Sequence, residues 1–172
     1  MSAIPDPLEL SAYSPMWPAV FEIERERLTR IFGADAVWIE HIGSTAVPGL
    51  GAKPIIDILL GAPELSIVER KIAELTADGY RYVPEFERSI PQRRYFVKAE
   101  GHPGYFHLHA VVKDTPFWRD HLAFRDALRA DAALADEYGR LKRRLASRFP
   151  SDRAAYTDAK STFIRSVVEK SR

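Results

Sequence analysis

"HIGSTAVPGLGAKPIIDILLG", His41 to Gly61, is the stretch whose reading decides the fold. Its first half is a turn-rich loop holding Gly43, Ser44, Gly49 and Gly51, and its second half, "PIIDILLG", is a nearly continuous apolar run. Short runs of this kind are strands covered on both faces. One acid, Asp57, interrupts the run. A buried carboxylate costs stability unless it has a partner, so this one asks for a function. The preceding "AVWIEHI" (Ala36 to Ile42) alternates, is β-branched and reads as a second strand. A glycine-serine turn that leaves a strand and opens a short helix exposes backbone N–H groups and a hydroxyl, which suit phosphate oxygens. An acid on the neighbouring strand can hold a divalent cation that bridges those phosphates. The loop is neither a GK[ST] phosphate loop nor a G-x-G-x-x-G dinucleotide turn.

Working outward, the first fourteen residues, with Pro5 and Pro7, read as an irregular arm or edge segment. Pro15 and Pro18 suit a helix start, and Trp17, Val20, Phe21, Leu28 and Ile31 give one face up to a stop at Gly33. Ser66 and Glu69 form a capping-box pattern, with Val68, Ile72 and Leu75 continuing a helix to Gly79. Three strands are predicted next: "YRYVPEF" (80–86), "RRYFVKA" (93–99) and "YFHLHAVV" (105–112). The last two are joined by "EGHPG", which has hairpin chemistry. From Pro116 onward the pattern is three amphipathic helices, with Pro150 and Ser151 marking the last boundary. The prediction is one α+β domain over residues 1–172, a small mixed sheet packed by helices, with 116–170 a helical C-terminal part.

Composition narrows the class. The chain has 172 residues, 46% hydrophobic and 28% charged, ordinary values for a folded domain with its own core. A net charge of +1 provides no basic field, so neither nucleic acid nor an anionic membrane is expected as a partner. With no cysteine, disulfides, thiolate metal sites and a cysteine nucleophile are excluded. No signal-peptide pattern and no apolar run near the ~20 residues of a membrane span are seen, so a cytoplasmic location is expected.

"IEHIGSTAVPGLGAKPIIDILL" closely resembles the signature of the GrpB family, and "RRYFVK", "FHLHAVV", "FRDALR", "YGRLKRRLA" and "AKSTFI" resemble its remaining blocks. The likeness covers residues 12 to 168. It implies a nucleotidyltransferase-like fold of the polymerase β type. In that superfamily a Gly-Ser turn precedes a strand bearing acid-x-acid, a later strand adds a third acid, and two divalent cations position a nucleoside triphosphate for attack by an acceptor. Some members of the GrpB family are joined to a dephospho-coenzyme A kinase domain, a hint of coenzyme A metabolism.

Asp57 matches the first acid, but the second position, on the same face of the strand, is Leu59. A symmetric two-metal site requires more carboxylates than one. "FHLHAVV" places His107 and His109 on one strand face, where they could complete a site with Asp57. A two-histidine, one-carboxylate set favours a transition metal, whereas Asp57 with phosphates favours Mg²⁺ or Mn²⁺. The alternative is that both histidines face water or hydrogen-bond within the core. Glu40 and His41 are further candidates. Arg94 and Lys98 share one face of their strand, and Lys142 and Lys160 border apolar helix faces. Inward cations need anionic partners, either phosphate or a structural carboxylate such as Asp126, Asp158 or Glu137. Arg125 is sorted the same way.

Two readings follow. In the first, a metal-dependent nucleotidyltransferase acts on a nucleoside triphosphate. Gly43, Ser44, Thr45, Arg94, Lys142 and Lys160 hold phosphates, Asp57 with His107 and His109 holds the metal, and Asp57 and His109 are catalytic, with a histidine as base. In the second, the domain binds a nucleotide or phosphometabolite without turnover, its second acid lost. A protein-interaction role is a third and weaker option, since no exposed apolar helix stripe argues for it.

Overall fold

The computed structural model describes residues 10–35, 37–99 and 105–172. After an isolated bridge between Ser11 and Ala52, the chain enters α1 (Trp17–Phe32), with proline in the first turn and Gly33 ending it. Strand β1 (Trp38–Ile42) leads through a 3-10 turn, Ser44–Ala46, to β2 (Ile55–Ala62). Helices α2 (Leu65–Glu69) and α3 (Ile72–Ala77) follow, then β3 (Arg81–Tyr82), β4 (Arg93–Lys98) and β5 (Tyr105–Val112). Three longer helices complete the described chain: α4 (Pro116–Ala130), α5 (Ala132–Arg148) and α6 (Arg153–Lys170).

The five strands form one mixed sheet in the order β1-β2-β5-β4-β3, parallel only between β2 and β5. The apolar run around Asp57 is thus a central strand, as its composition requires. Ile56, Ile58 and Leu60 of β2, with Phe96, Phe106, Leu108 and Ala110, face the main core, which α1, α2 and α3 cover. Within that core Lys98 is fully buried, its Nζ donating to Glu24 Oε1 at 2.9 Å and Asp78 Oδ2 at 2.6 Å. The Tyr80 hydroxyl donates to the same Glu24 oxygen at 2.8 Å. This buried network ties α1, α3 and β4 together.

The opposite face is shared. Its β1 end lies under α4, where Leu59 packs with Ile42, Val111 and Trp118. Gly61 makes that possible: a Cβ there would stand 2.7 Å from the Trp118 ring, so only glycine lets the indole lie on the strand. Helices α4, α5 and α6 pack on one another and enclose the remainder of this face only in part.

Three local readings are corrected. Ser66 is inside α2 rather than its cap; Glu64, extended and without a capping side-chain bond, occupies that position. The single predicted helix to Gly79 is two pieces, because Lys71 N bonds the carbonyl of Val68 and tightens the turn between them. The strand predicted over 80–86 is cut to Arg81 and Tyr82, with one further bond from Val83 N to the Tyr95 carbonyl at 2.9 Å, since Pro84, which has no N–H, opens a 3-10 turn over Pro84–Arg88. The connector "EGHPG" and most of the N-terminal arm lie outside the described residues.

Candidate functional site

Ile42, the last residue of β1, pairs with Asp57 in the middle of β2, so the turn that follows is delivered beside the carboxylate. Gly43 adopts φ 74°, and a Cβ on it would lie 2.6 Å from Asp57 Oδ2. Both backbone and space therefore require glycine, and the glycine-acid spacing seen in the sequence is a contact. In register with Asp57 across the parallel pair is His107, with His109 two residues on along the same face.

His109 Nε2 stands 3.2 Å from Asp57 Oδ1, and its Nδ1 is 3.3 Å from Arg93 Nη1. A guanidinium can only donate, so Nδ1 accepts and the imidazole proton sits on Nε2, donating to the carboxylate. Burial pushes the Asp57 carboxyl up, but the His109 hydrogen bond, with His107 and His41 nearby, outweighs it and holds the group below its ordinary value. His107 Nδ1 is 3.7 Å from the same Asp57 oxygen, beyond hydrogen-bond range. Burial lowers its pKa to about 4, against the attraction of Asp57 and with His109, Arg153 and Lys53 adding to the fall. His107 is an uncharged imidazole at neutral pH.

On the other side of Asp57 is a cationic cavity of ≈ 150 Å³, lined by Ser44, Lys53, Lys142, Arg153, Tyr156 and Lys160 among others. Lys142, 3% exposed, reaches from α5 to donate to Ser44 Oγ at 2.9 Å and to the Gly51 carbonyl at 2.6 Å. Burial, then the charges of Lys160, Lys53 and Arg143, lowers its pKa to about 7. Lys160, its ammonium 4.3 Å from the Tyr156 ring centroid, is lowered to about 8 by burial and Lys53, with Asp57 opposing. Two larger spaces meet at the same point. One, of ≈ 640 Å³, lies between the sheet, α4 and α6 and is lined by Gly43, Asp57, His109, Phe124, Tyr138 and Ile164 among others. The other, of ≈ 1110 Å³, runs along β4 past His107 and His109.

Of the predicted residues, Gly43, Ser44, Asp57, His107, His109, Lys142 and Lys160 converge. Arg94 does not: it pairs with Glu69 at 2.8 Å and Glu87 at 3.7 Å on the α2 side of the sheet, together with buried Lys98. Thr45 borders the cavity, but its hydroxyl donates to the Ile55 carbonyl at 3.2 Å and meets His41 Nε2 at 2.9 Å, so it braces the loop rather than offering a free donor. His41 is buried against the Phe21 ring, and burial with Arg129 nearby lowers its pKa to about 4. Glu40 is held by Arg125 at 2.7 Å, and Arg125 also binds Asp126 at 2.8 Å, the structural reading of that arginine. The transition-metal cluster expected from Asp57, His107 and His109 does not fit this arrangement. His109 presents a hydrogen to Asp57 rather than a lone pair, and among the described residues no three His, Cys, Asp or Glu side chains gather as a metal site.

Sequence reasoning missed Lys53, Arg93 and Arg153. Lys53 had a signal, standing an even four positions before Asp57 within the same motif. Arg93 had only its place beside Arg94, and Arg153 none.

A profile of the GrpB family, described as GrpB protein, matches residues 7–170. The chain belongs to the GrpB family. Among GrpB relatives, the UPF0157 protein YqkA of Bacillus subtilis is 36% identical over 165 residues, which is 96% of this chain and 47% of that protein. The chain thus spans about half the length of YqkA. The crystal structure of GrpB from Enterococcus faecalis superposes with TM-score 0.84 at 35% identity, covering 95% of this chain and 96% of that one. The poly(U) polymerase Cid1 bound to MgATP matches at TM-score 0.58 and 15% identity, over 86% of this chain and 50% of its own, which shows a shared nucleotidyltransferase-like fold. A dephospho-CoA kinase of Mycolicibacterium paratuberculosis is 27% identical over 186 residues, 95% of this chain and 46% of that protein. Among the described residues no helix is long and apolar enough to cross a membrane.

Proposed function

We propose that the protein is a nucleotidyltransferase that takes a nucleoside triphosphate with its divalent cation and passes the nucleotidyl group to a small acceptor. One observation carries this reading: Asp57, the single acid lining the cavity, faces Lys53, Lys142, Arg153 and Lys160 around the Gly43–Ser44 turn. Burial first, and then neighbouring positive charge, depresses two of these four basic groups, and a polyanion in the cavity favours their charged forms. Asp57 is the protein's ligand to a cation arriving with the substrate, and phosphate oxygens and water supply the others, as is usual for Mg²⁺. A second cation on β2 has no ligand, since Leu59 is fully buried beneath Trp118.

The triphosphate occupies the cationic cavity, and the nucleoside lies between α4 and α6 against Phe124, Tyr138 and Ile164. An acceptor oxygen forms the new bond to the α-phosphorus, the bond to the β-phosphate oxygen breaks, and pyrophosphate leaves against Lys142 and Lys160. His109, committed as a donor, keeps Asp57 ionised and oriented. His107, an uncharged imidazole with no side-chain hydrogen bond among the described residues, receives the acceptor's proton. The likeness to dephospho-CoA kinase makes coenzyme A precursors the first acceptors to test. Purified protein with Mg²⁺ or Mn²⁺ should release pyrophosphate from a labelled triphosphate, and Asp57→Asn should abolish release. Absence of nucleotide binding by calorimetry, or full activity in Asp57→Asn, overturns the reading.

A further inference from the structure

The groove along β4 meets the cationic cavity at His107 and Arg153 and the α4–α6 space at His109 and Thr157, but most of its wall belongs to neither. Its wall is Arg93, whose guanidinium lies 4.7 Å from the Tyr95 ring centroid and 5.9 Å from that of Phe86. Arg93 makes no ion pair among the described residues, and its Nε is buried without a hydrogen-bond partner. Among the described residues its one side-chain hydrogen bond goes to an imidazole nitrogen, His109 Nδ1, rather than to an anion. A half-buried guanidinium with no counter-anion is costly to maintain, in contrast to Arg94 next door, which has two carboxylates. Phe86, 49% exposed, stands beside it as an open apolar wall. Arg81 and Arg153 add positive charge to the groove; Glu85 and Asp158 are carboxylates on exposed residues at its border.

We propose that this groove is the acceptor subsite, and that it selects an acceptor carrying an oxyanion, phosphate or carboxylate, next to an apolar or aromatic portion. The oxyanion docks on the Arg93 guanidinium, the apolar portion lies on Phe86, and the acceptor's reactive oxygen is directed past His107 toward Asp57. The inference rests on the transferase reading for its role, but the subsite itself is testable without turnover. Arg93 bonds His109 at 3.3 Å and His109 bonds Asp57 at 3.2 Å, so the groove's guanidinium stands two contacts from the carboxylate.

Isotope-labelled protein titrated with phenyl phosphate and with benzoate, followed by amide and arginine side-chain resonances, tests it. The expected result is saturable shifts at Val83, Phe86, Arg93 and Tyr95 with either probe, the stronger probe naming the preferred anion. Arg93→Met should weaken binding about tenfold or more, the loss of a charge-assisted contact, with Arg93→Lys recovering part of it. Phe86→Ala, at an exposed position, should weaken it about threefold without disturbing the fold. A parallel titration with pyrophosphate should shift Ser44, Lys142 and Lys160 of the cationic cavity. Pyrophosphate shifts at Ser44 with no probe shifts in the groove would overturn the subsite and leave the transferase reading standing. Groove shifts without pyrophosphate binding would do the reverse. Probe binding that is unchanged in both Arg93→Met and Phe86→Ala also sinks the proposal.

Discussion

Binding of a triphosphate should draw protons from solvent, and the amount follows from the two lysines of the cationic cavity. With pKa values of about 7 for Lys142 and about 8 for Lys160, the free protein at pH 8 has about nine-tenths of the first and about half of the second uncharged. The neutral amine of Lys142 has two hydrogens, and both are used, on Ser44 and on Gly51. A polyanion in the cavity favours the ammonium forms and supplies the acceptor for the third hydrogen. Binding at pH 8 should therefore take up about 1.4 protons, falling to about 0.6 at pH 7 and about 0.1 at pH 6. Calorimetry in buffers of different ionisation enthalpy measures this, because the observed enthalpy changes linearly with the buffer's and the slope is the proton count. Lys142→Met should remove about 0.9 of the uptake at pH 8. Binding at pH 8 with a slope near zero would refute the reasoning: the lysines would be either charged already or away from the ligand.

Further outcomes are expected from other parts of the molecule. Gly43→Ala should lower stability by about 1–3 kcal/mol in urea unfolding, the cost of a side chain in that backbone region, and abolish pyrophosphate release by displacing Asp57. Lys98→Met leaves Glu24 buried without its cation and should cost about 3–5 kcal/mol in the same assay, with no direct effect on triphosphate affinity measured where the variant remains folded. His41 and His107 have pKa values near 4 when folded and 6.5 when unfolded, so the unfolded chain binds more protons between those limits. Stability from these groups is thus present above pH 6.5 and lost as pH falls toward 4. The thermal midpoint should drop across that window, and His41→Phe, which keeps the ring against Phe21, should lessen the drop.

How much of this was legible depended on whether the signal was local. Two strands on either side of a glycine turn could be read, because alternation and turn chemistry act over a few residues, but their pairing came from the structure. So could His107 and His109 sharing a face, since strand side chains repeat every second residue. Which cation on β4 meets those histidines could not. Arg94 and Lys98 do share a face, but the pairing of Tyr95 with His109 turns Arg93 to the site and sends Arg94 to Glu69. A one-residue change of register exchanges the two faces, and no composition rule distinguishes adjacent arginines.

The sequence by itself determined the Gly43–Ser44 turn, the lone acid on a central strand and the absence of an acid at position 59, each a matter of residue identity at short spacing. Only the tertiary structure decided that Gly43 touches Asp57, that Lys142 and Lys160 arrive from α5 and α6, and that Leu59 lies beneath Trp118. The reason is physical: burial and mutual charge tune these lysines and histidines, and both depend on distances between segments far apart in the chain.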